Sequence, residues 1–293
     1  MVETGLIPCG LCGNTHPNVV LEPARLDGPL VECRSCGFRY VGRRRSQLTF
    51  GSGPGSEKPG DVVERVRRAN SDFRHIPLAE EQRLAALNAR WRVDLIRPFC
   101  GSGRLLEVGC ARGDFLRVAR EHFAVFGVEP NPDLADFARF VAPVHAGVVE
   151  TAPWRDFDVI ASFHVIEHVD SPRRFIAAIR ERLRPGGLVV IETPNIQSLA
   201  FRVFGRHWRQ FIPEHYFFFE PRTITRLFRD EGLKVDRTVA IGKYASLELI
   251  TNRLSRYLPG MSAIPRLPGV SRLTFRVNPT DIMLVFATRT GDD

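Results

Sequence analysis

Lysine is scarce in this sequence. Three lysines, at 58, 234 and 243, stand within a Lys+Arg total of 41, so arginine carries nearly all the positive charge. A run of the ~18 apolar residues needed by a membrane-spanning helix is also missing, which excludes a helical span. The opening residues, MVETGLIPCG, carry an early acid and lack the basic start and apolar core of a secretory leader. A cytoplasmic protein is therefore expected. No internal repeat is present, which argues against a solenoid or propeller. The net charge of +8 and pI near 9.6 would attract nucleic acid, anionic lipid or a phosphorylated substrate. Yet no stripe of basic residues interleaves with aromatics, and only Arg43, Arg44 and Arg45 form a tight run. A nucleic-acid partner is therefore not favoured. What is present is ordinary for a globular chain, 44% hydrophobic and 25% charged, which excludes a disordered or fibrous class. With 293 residues there is room for one large domain plus a small one.

Of the six cysteines, four fall into two C-x-x-C pairs, Cys9/Cys12 and Cys33/Cys36, while Cys100 and Cys110 stand alone. Thiols in a reducing compartment point to metal rather than disulfides. Each pair sets two thiolates on one tight knuckle, and two knuckles together offer four sulfurs at tetrahedral reach. This matches a closed, structural zinc site. Two redox or disulfide pairs are the competing reading. Residues 1–45 thus read as a small zinc ribbon, too short to bury enough apolar surface without its metal. SQLTFGSGPGSEKPG, residues 46–60, reads as a flexible linker before a domain over 61–293.

That domain alternates strand and helix. In LAEEQRLAALNARWRVDLI the apolar residues Leu84, Leu87, Trp91 and Leu95 recur at helical spacing, and Pro98 ends the element. RLLEVG, AVFGVE, FDVIASF and GLVVIET read as strands. Helices come between them, with Asn131 and Ser171 as caps. PRTITRLFRDEG is a further helix, and LKVDRTVA and DIMLVFATR are late strands. The fold class is α/β: a Rossmann-like, mostly parallel sheet with helices on both faces, preceded by the ribbon. Residues 244–280 interrupt it, with Leu247, Ile250 and Leu254 marking an amphipathic helix. That helix either packs on the domain, lines a substrate pocket or makes peripheral membrane contact.

LLEVGCARGDFL is the most informative stretch. A buried strand ends at Glu107-Val-Gly109, and Gly113 opens a helix after a loop of small residues, so a ligand can approach the backbone. About twenty residues on, Glu129 ends the next strand, placed to accept from both hydroxyls of a ribose lacking a 2′-phosphate. The G-x-G-x-x-G of pyrophosphate recognition is missing, and Glu107 would repel phosphate but suit a cationic ligand with an amino-acid tail. These residues resemble the first motif of the class I S-adenosylmethionine-dependent methyltransferase superfamily, E/D-x-G-x-G-x-G, with Ala111 at the middle glycine. FDVIASFHVIEHVDSPRRFIAAIRERLRPGGLVVIETPN and PEHYFFFEPRTITRLFRDEGLKV are similar to later motifs of its ubiquinone-biosynthesis-like branch. The front pattern C-x-x-C…C-x-x-C-G-F-x-Y is similar to zinc ribbons preceding such enzymes. The resemblance implies S-adenosylmethionine held by Glu107, Gly109, Cys110, Ala111, Gly113, Glu129, Pro130, Val148 and Phe163. Val148 departs from the branch, where an Asp after the glycine touches the adenine amine, and Glu150 is a candidate substitute.

Methyl transfer from a sulfonium needs a positioned nucleophile and, where that nucleophile is protonated, a base. The candidates are His164, Glu167, His168 and His215. His164 and His168 follow the fourth strand, and His215 lies in HWRQFIPEHYFFFE, which is expected to fold over the substrate. Tyr216, Phe217, Phe218 and Phe219 read as packing residues, and Trp208 as either packing or substrate contact. The function expected is methylation of a small-molecule acceptor. The alternatives are an RNA methyltransferase that grips RNA with its ribbon and a non-catalytic protein that kept the fold.

Overall fold

The computed structural model describes residues 6–43, 76–254 and 273–291. The expected linker at 46–60, residues 61–75, Arg44, Arg45 and most of the 244–280 insertion beyond residue 254 lie outside the described residues. The ribbon supplies β1 (Pro17–Leu21), β2 (Leu30–Cys33) and β3 (Arg39–Val41), paired antiparallel in that order. The main sheet has seven strands: β4 (Arg104–Val108), β5 (Ala124–Glu129), β6 (Val144–Ala146), β7 (Phe157–Phe163), β8 (Leu183–Pro194), β10 (Leu233–Ala240) and β13 (Ile282–Arg289). Its order is β10-β13-β8-β7-β4-β5-β6. The strands run parallel from β6 to β8, and β13 pairs antiparallel with both β8 and β10. Between β4 and β7 the chain reverses its direction of travel across the sheet. Loops at the carboxyl ends splay apart there and leave room for a ligand.

Alternate strand residues feed two cores. Leu106, Ile160, Val189 and Val285 face one side, where α4 (Pro172–Arg182) and α6 (Pro221–Asp230) pack. Leu105, Val159, Val190 and Leu284 face the other, covered by α1 (Leu78–Ile96), α2 (Asp114–Ala119) and α3 (Pro132–Ala138). The face of α1 that reaches the core carries Leu84, Ala89, Val93 and Ile96. This differs from the expected stripe, of which Leu87, Trp91 and Leu95 are only half-buried. Small Ala89 lets the helix approach closely, and Trp91 moves to the flank beneath the Arg276 guanidinium, 4.5 Å from its ring centre. The L-R-P-G-G turn is likewise drawn into β8, which starts at Leu183.

The Asn131 cap forms as expected. Its side chain accepts from the backbone N–H groups of Asp133 (3.0 Å) and Leu134 (3.2 Å). Asn131→Ala is expected to cost about 1 kcal/mol. It should lower the urea midpoint and leave the slope unchanged.

The ribbon leans on the larger sheet's domain. β9 (Phe217–Phe218) joins β3 as a fourth antiparallel strand, and Val41 N–H donates to Tyr216 O at 2.9 Å. Buried Phe38 stacks on Phe217, with ring centres 5.8 Å apart, and lies tilted against Phe219 at 5.1 Å. Leu11, Phe38 and Tyr40 thereby enter the same core as Phe175 and Ile224. In the insertion, β11 (Lys243–Ser246) pairs with β12 (Thr274–Val277) and leads into α7 (Leu247–Leu254). Among the described side chains of α7, Leu249 is buried against Ile76, Leu84 and Ala245, the expected Ile250 packs half-buried on the same cluster and Leu247 is half-buried, while the Leu254 side chain lies outside those described. The remaining helix, α5 (Leu199–Phe204), precedes the aromatic segment. No helix among the described residues is long and apolar enough to cross a membrane.

Candidate active site

The loop from β4 to α2 needs left-handed backbone three times: Gly109 (φ 78), Ala111 (φ 44) and Gly113 (φ 75). Glycine serves two of these without strain, and Ala111 takes the third with the smallest side chain that carries a Cβ. A Cβ at Gly109 would collide with Val165. Buried Cys110 packs where Gly127 leaves space, since a Cβ there would lie 2.7 Å from its Sγ. Burial keeps this thiol protonated by raising its pKa, consistent with a small packing residue.

Glu129 braces the loop. Its Oε2 accepts from Ala111 N–H at 2.9 Å and its Oε1 from Asn131 N–H at 3.0 Å. Each oxygen keeps a second lone pair for a ligand hydroxyl. Glu107 is placed differently. It is 5% exposed, and its Oε2 has no hydrogen-bond partner. Burial pushes its carboxyl well above the usual range, Arg92 opposes this, and Asp114 and Glu129 add to it. A buried acceptor left without a donor is costly and suits a cation that arrives from outside.

Two cavities border this loop, and a third adjoins the second of them at Lys243. The first, about 260 Å³, is lined by Val128, Pro130, Val148, Val149, Val165 and Val169, with Glu150 at its edge. The second, about 280 Å³, is lined by Arg92, Glu107, Arg112, Asp114, Phe163 and Lys243. Gly109 borders both. The third, about 180 Å³, is apolar and lined by Phe204, Trp208, Ile241, Ala245 and Ile282, with Lys243 at the boundary with the second. In the second cavity Phe163 meets Phe115 edge to face and carries the Arg92 guanidinium 4.2 Å over its ring.

The structure sets His164 apart from His168 and His215, whose rings touch. His215 is 4% exposed, donates Nδ1–H to Gln210 O at 2.8 Å, and is pushed down to about 3 by burial and by His168. His168 donates Nδ1–H to Glu214 O at 2.8 Å and meets the His215 ring edge-on. Neither lines the three cavities. Tyr216, Phe217, Phe218 and Phe219 are core residues, each at most 2% exposed. His164 stands in a charged cluster next to the second cavity. Its Nδ1 is 3.0 Å from Glu167 Oε1, and its Nε2 is 2.8 Å from Glu192 Oε1 and 2.7 Å from Lys243 Nζ. Arg92 grips both oxygens of Glu192, at 2.7 and 2.8 Å. Burial alone would raise Glu192; Arg92 and Lys243 outweigh it and hold the carboxyl well below the usual range. Glu167 is likewise held at about 2 by the neighbouring histidines despite its burial.

Sequence reading missed Arg92, Glu192 and Lys243. One signal was there: Glu192 is an acid at the carboxyl end of the otherwise apolar GLVVIET, and such a buried acid needs a cation.

At the front, Cys9 Sγ lies 3.6 Å from Cys36 Sγ, and Cys12 Sγ lies 3.5 Å from Cys33 Sγ. All four sulfurs fall within 4.8 Å of one another. A disulfide requires about 2.05 Å. Tetrahedral zinc with bonds of about 2.3 Å holds its sulfurs about 3.8 Å apart. Burial pushes the Cys9 thiol up to about 11.

The family model described as Methyltransferase domain matches residues 72–238. Among curated proteins, the chain is 33% identical over 158 residues to the ubiquinone biosynthesis O-methyltransferase of Cereibacter sphaeroides, covering 48% of this chain and 64% of that one. It is 28% identical over 206 residues to the enzyme of the same name from Thiobacillus denitrificans, covering 61% and 82%. The chain thus spans just under two thirds of the length of the first of these relatives. Among solved structures, a SAM-dependent methyltransferase of Thermotoga maritima aligns with a TM-score of 0.50 at 19% identity, over 78% of this chain and 97% of that one. Magnesium protoporphyrin IX methyltransferase of Synechocystis PCC 6803, with bound SAH, aligns with a TM-score of 0.51 at 11% identity, over 79% and 96%. At such identities the likeness is one of fold.

Proposed function

The chain belongs to the methyltransferase-domain family, and on that footing we propose that it transfers a methyl group from S-adenosylmethionine to a small-molecule acceptor. The observation that carries this reading is the unpartnered, buried Oε2 of Glu107 beside the Gly109 bend. The residues fit such a cofactor. Val128, Pro130, Val148 and Val149 offer apolar contact to an adenine in the first cavity, where Val148 replaces an adenine-binding acid. Glu129 would take the ribose with its remaining lone pairs, and Glu107 the ammonium of the amino-acid tail in the second cavity. When bound, the cofactor supplies a sulfonium-activated methyl group for in-line displacement. Gly109, Cys110, Ala111 and Gly113 keep the loop low enough to admit it, and Phe163 walls the tail's cavity.

The third, apolar cavity would receive the body of the acceptor, with its reacting atom towards Lys243. The curated relatives' name supports a quinone-like or phenolic acceptor. Residues 1–45 would form a ribbon held by structural zinc on Cys9, Cys12, Cys33 and Cys36, and the protein would work in the cytoplasm.

Thermal unfolding of zinc-loaded protein tests this reading. At a hundredfold excess over its dissociation constant, S-adenosylmethionine or S-adenosylhomocysteine should add about 2.7 kcal/mol of stability. Glu129→Ala should remove most of that gain. A melting temperature indifferent to millimolar amounts of either ligand would overturn the proposal.

A further inference from the structure

We propose that Lys243 is the base facing the methyl acceptor, with His164 behind it as the proton's second seat, so that the site is built for an acceptor that must lose a proton, a hydroxyl of phenolic type. The inference rests on the methyl-transfer reading above. Lys243 is the one described residue common to the linings of the second and third cavities. A methyl donor in one and an acceptor in the other therefore meet at its amine.

Lys243 Nζ lies 2.7 Å from His164 Nε2 and 3.0 Å from Glu192 Oε1. Only one proton fits between two nitrogens at 2.7 Å, so one of them presents a lone pair. An amine and an imidazole joined in this way hold one proton fewer than two separate cations, so the pair can take up one more. Glu192 is a poor substitute, because Arg92 and Lys243 hold its carboxyl well below the usual range.

The charged groups facing the amine come from every side. They are Glu192 on β8, Arg92 on α1, His164 after β7 and, farther off, Arg209, itself paired with Asp281 at 2.7 Å. Burial lowers the Lys243 amine below an ordinary lysine; Glu192 opposes this in part and Arg92 adds to it. Arginine, the cation this chain uses almost everywhere else, has no proton to release at neutral pH. The His164 backbone is left-handed (φ 58), and its N–H donates to Glu192 O at 2.8 Å. A non-glycine residue seldom adopts that conformation, and here it keeps the ring against the lysine.

In the reaction the acceptor O–H bond breaks and its proton moves to Lys243 Nζ. The oxygen lone pair bonds to the methyl carbon. The carbon–sulfur bond breaks, and its electron pair stays on sulfur, which passes from sulfonium to thioether. The proton then crosses the short contact to His164 or leaves to water.

Two measurements on the full, zinc-loaded chain test this. The first is a pH titration by NMR with carbon-13 at the lysine Cε positions. Lys243 should titrate below Lys58 and Lys234, and its midpoint should move in His164→Gln. The second uses 4-nitrophenol, whose yellow colour reports the ionised form, with S-adenosylhomocysteine present. Bound to the wild type, the phenol should ionise about one pH unit or more below its free value, and Lys243→Met should abolish this shift. A Lys243 that titrates with the other two lysines, or a phenol that stays neutral or unbound, would overturn the proposal. If S-adenosylhomocysteine raises the melting temperature in those same samples, the methyl-transfer reading survives and only the base assignment fails.

Discussion

Glu107→Gln is expected to weaken S-adenosylmethionine binding by about a hundredfold or more, on the order of 3 kcal/mol, because a buried charge loses its partner. The change keeps the shape and one acceptor oxygen, so the loss reads charge rather than packing. In the free protein the Glu107 carboxyl is raised well above its ordinary value, first by burial. Its ionised form is therefore disfavoured in the fold. That contribution to stability is fully present below the unfolded value, about 4.3, and is lost as pH rises through the folded one. Free Glu107→Gln should then match the wild type in acid and exceed it in mild alkali. A cationic ligand favours the ionised form, so wild-type affinity should climb with pH until the folded value is passed, with proton release on binding below it. Calorimetry in two buffers of different ionisation enthalpy reads that proton. A variant that binds with wild-type affinity and an unchanged pH slope would remove Glu107 from the cofactor site.

The second large effect concerns the front of the chain. Stripping zinc, or Cys36→Ser, should cost on the order of 5 kcal/mol or more, given that structural zinc supplies about 10–16 kcal/mol to isolated fingers. The damage should spread beyond the ribbon. β9 would lose its partner strand, and Phe217 and Phe219 would lose the Phe38 ring. Tyr216 and Phe217 also donate backbone N–H groups to Glu167 O, at 2.9 and 3.3 Å, so the loop that carries His164 and His168 is coupled to the ribbon. Scanning calorimetry with and without chelator should show the main transition move down, accompanied by dye binding to the exposed phenylalanines. The effect should grow towards acid pH, since zinc competes with protons for the thiolates. A main transition indifferent to the chelator would mean that the four cysteines hold no stabilising zinc.

The strand–loop–helix at Glu107–Gly113, the acid ending β5, the Asn131 cap and the two cysteine knuckles were all legible, because each is encoded within a few consecutive residues. The α1 stripe was misjudged for a related reason. Spacing shows that a helix has an apolar side, but the partner surface decides which residues reach it, and small Ala89 next to the sheet outranked large Trp91 on the flank.

By itself, the sequence determined six of the seven strands of the main sheet, the bend that admits a ligand and the four sulfurs that can share a metal. These depend on short-range steric preference, capping and ligand spacing. Only the tertiary structure decided which acids and bases stand together. Arg92 and Glu192 lie 100 residues apart, and Lys243 and His164 lie 79 apart. What joins them is the strand order, which sets β7 beside β8 and brings the Lys243 strand back over both. Tertiary packing likewise gave the ribbon's edge a strand from the aromatic segment. No local pattern announces that pairing, because its stability comes from burying Phe38 against rings nearly two hundred positions away.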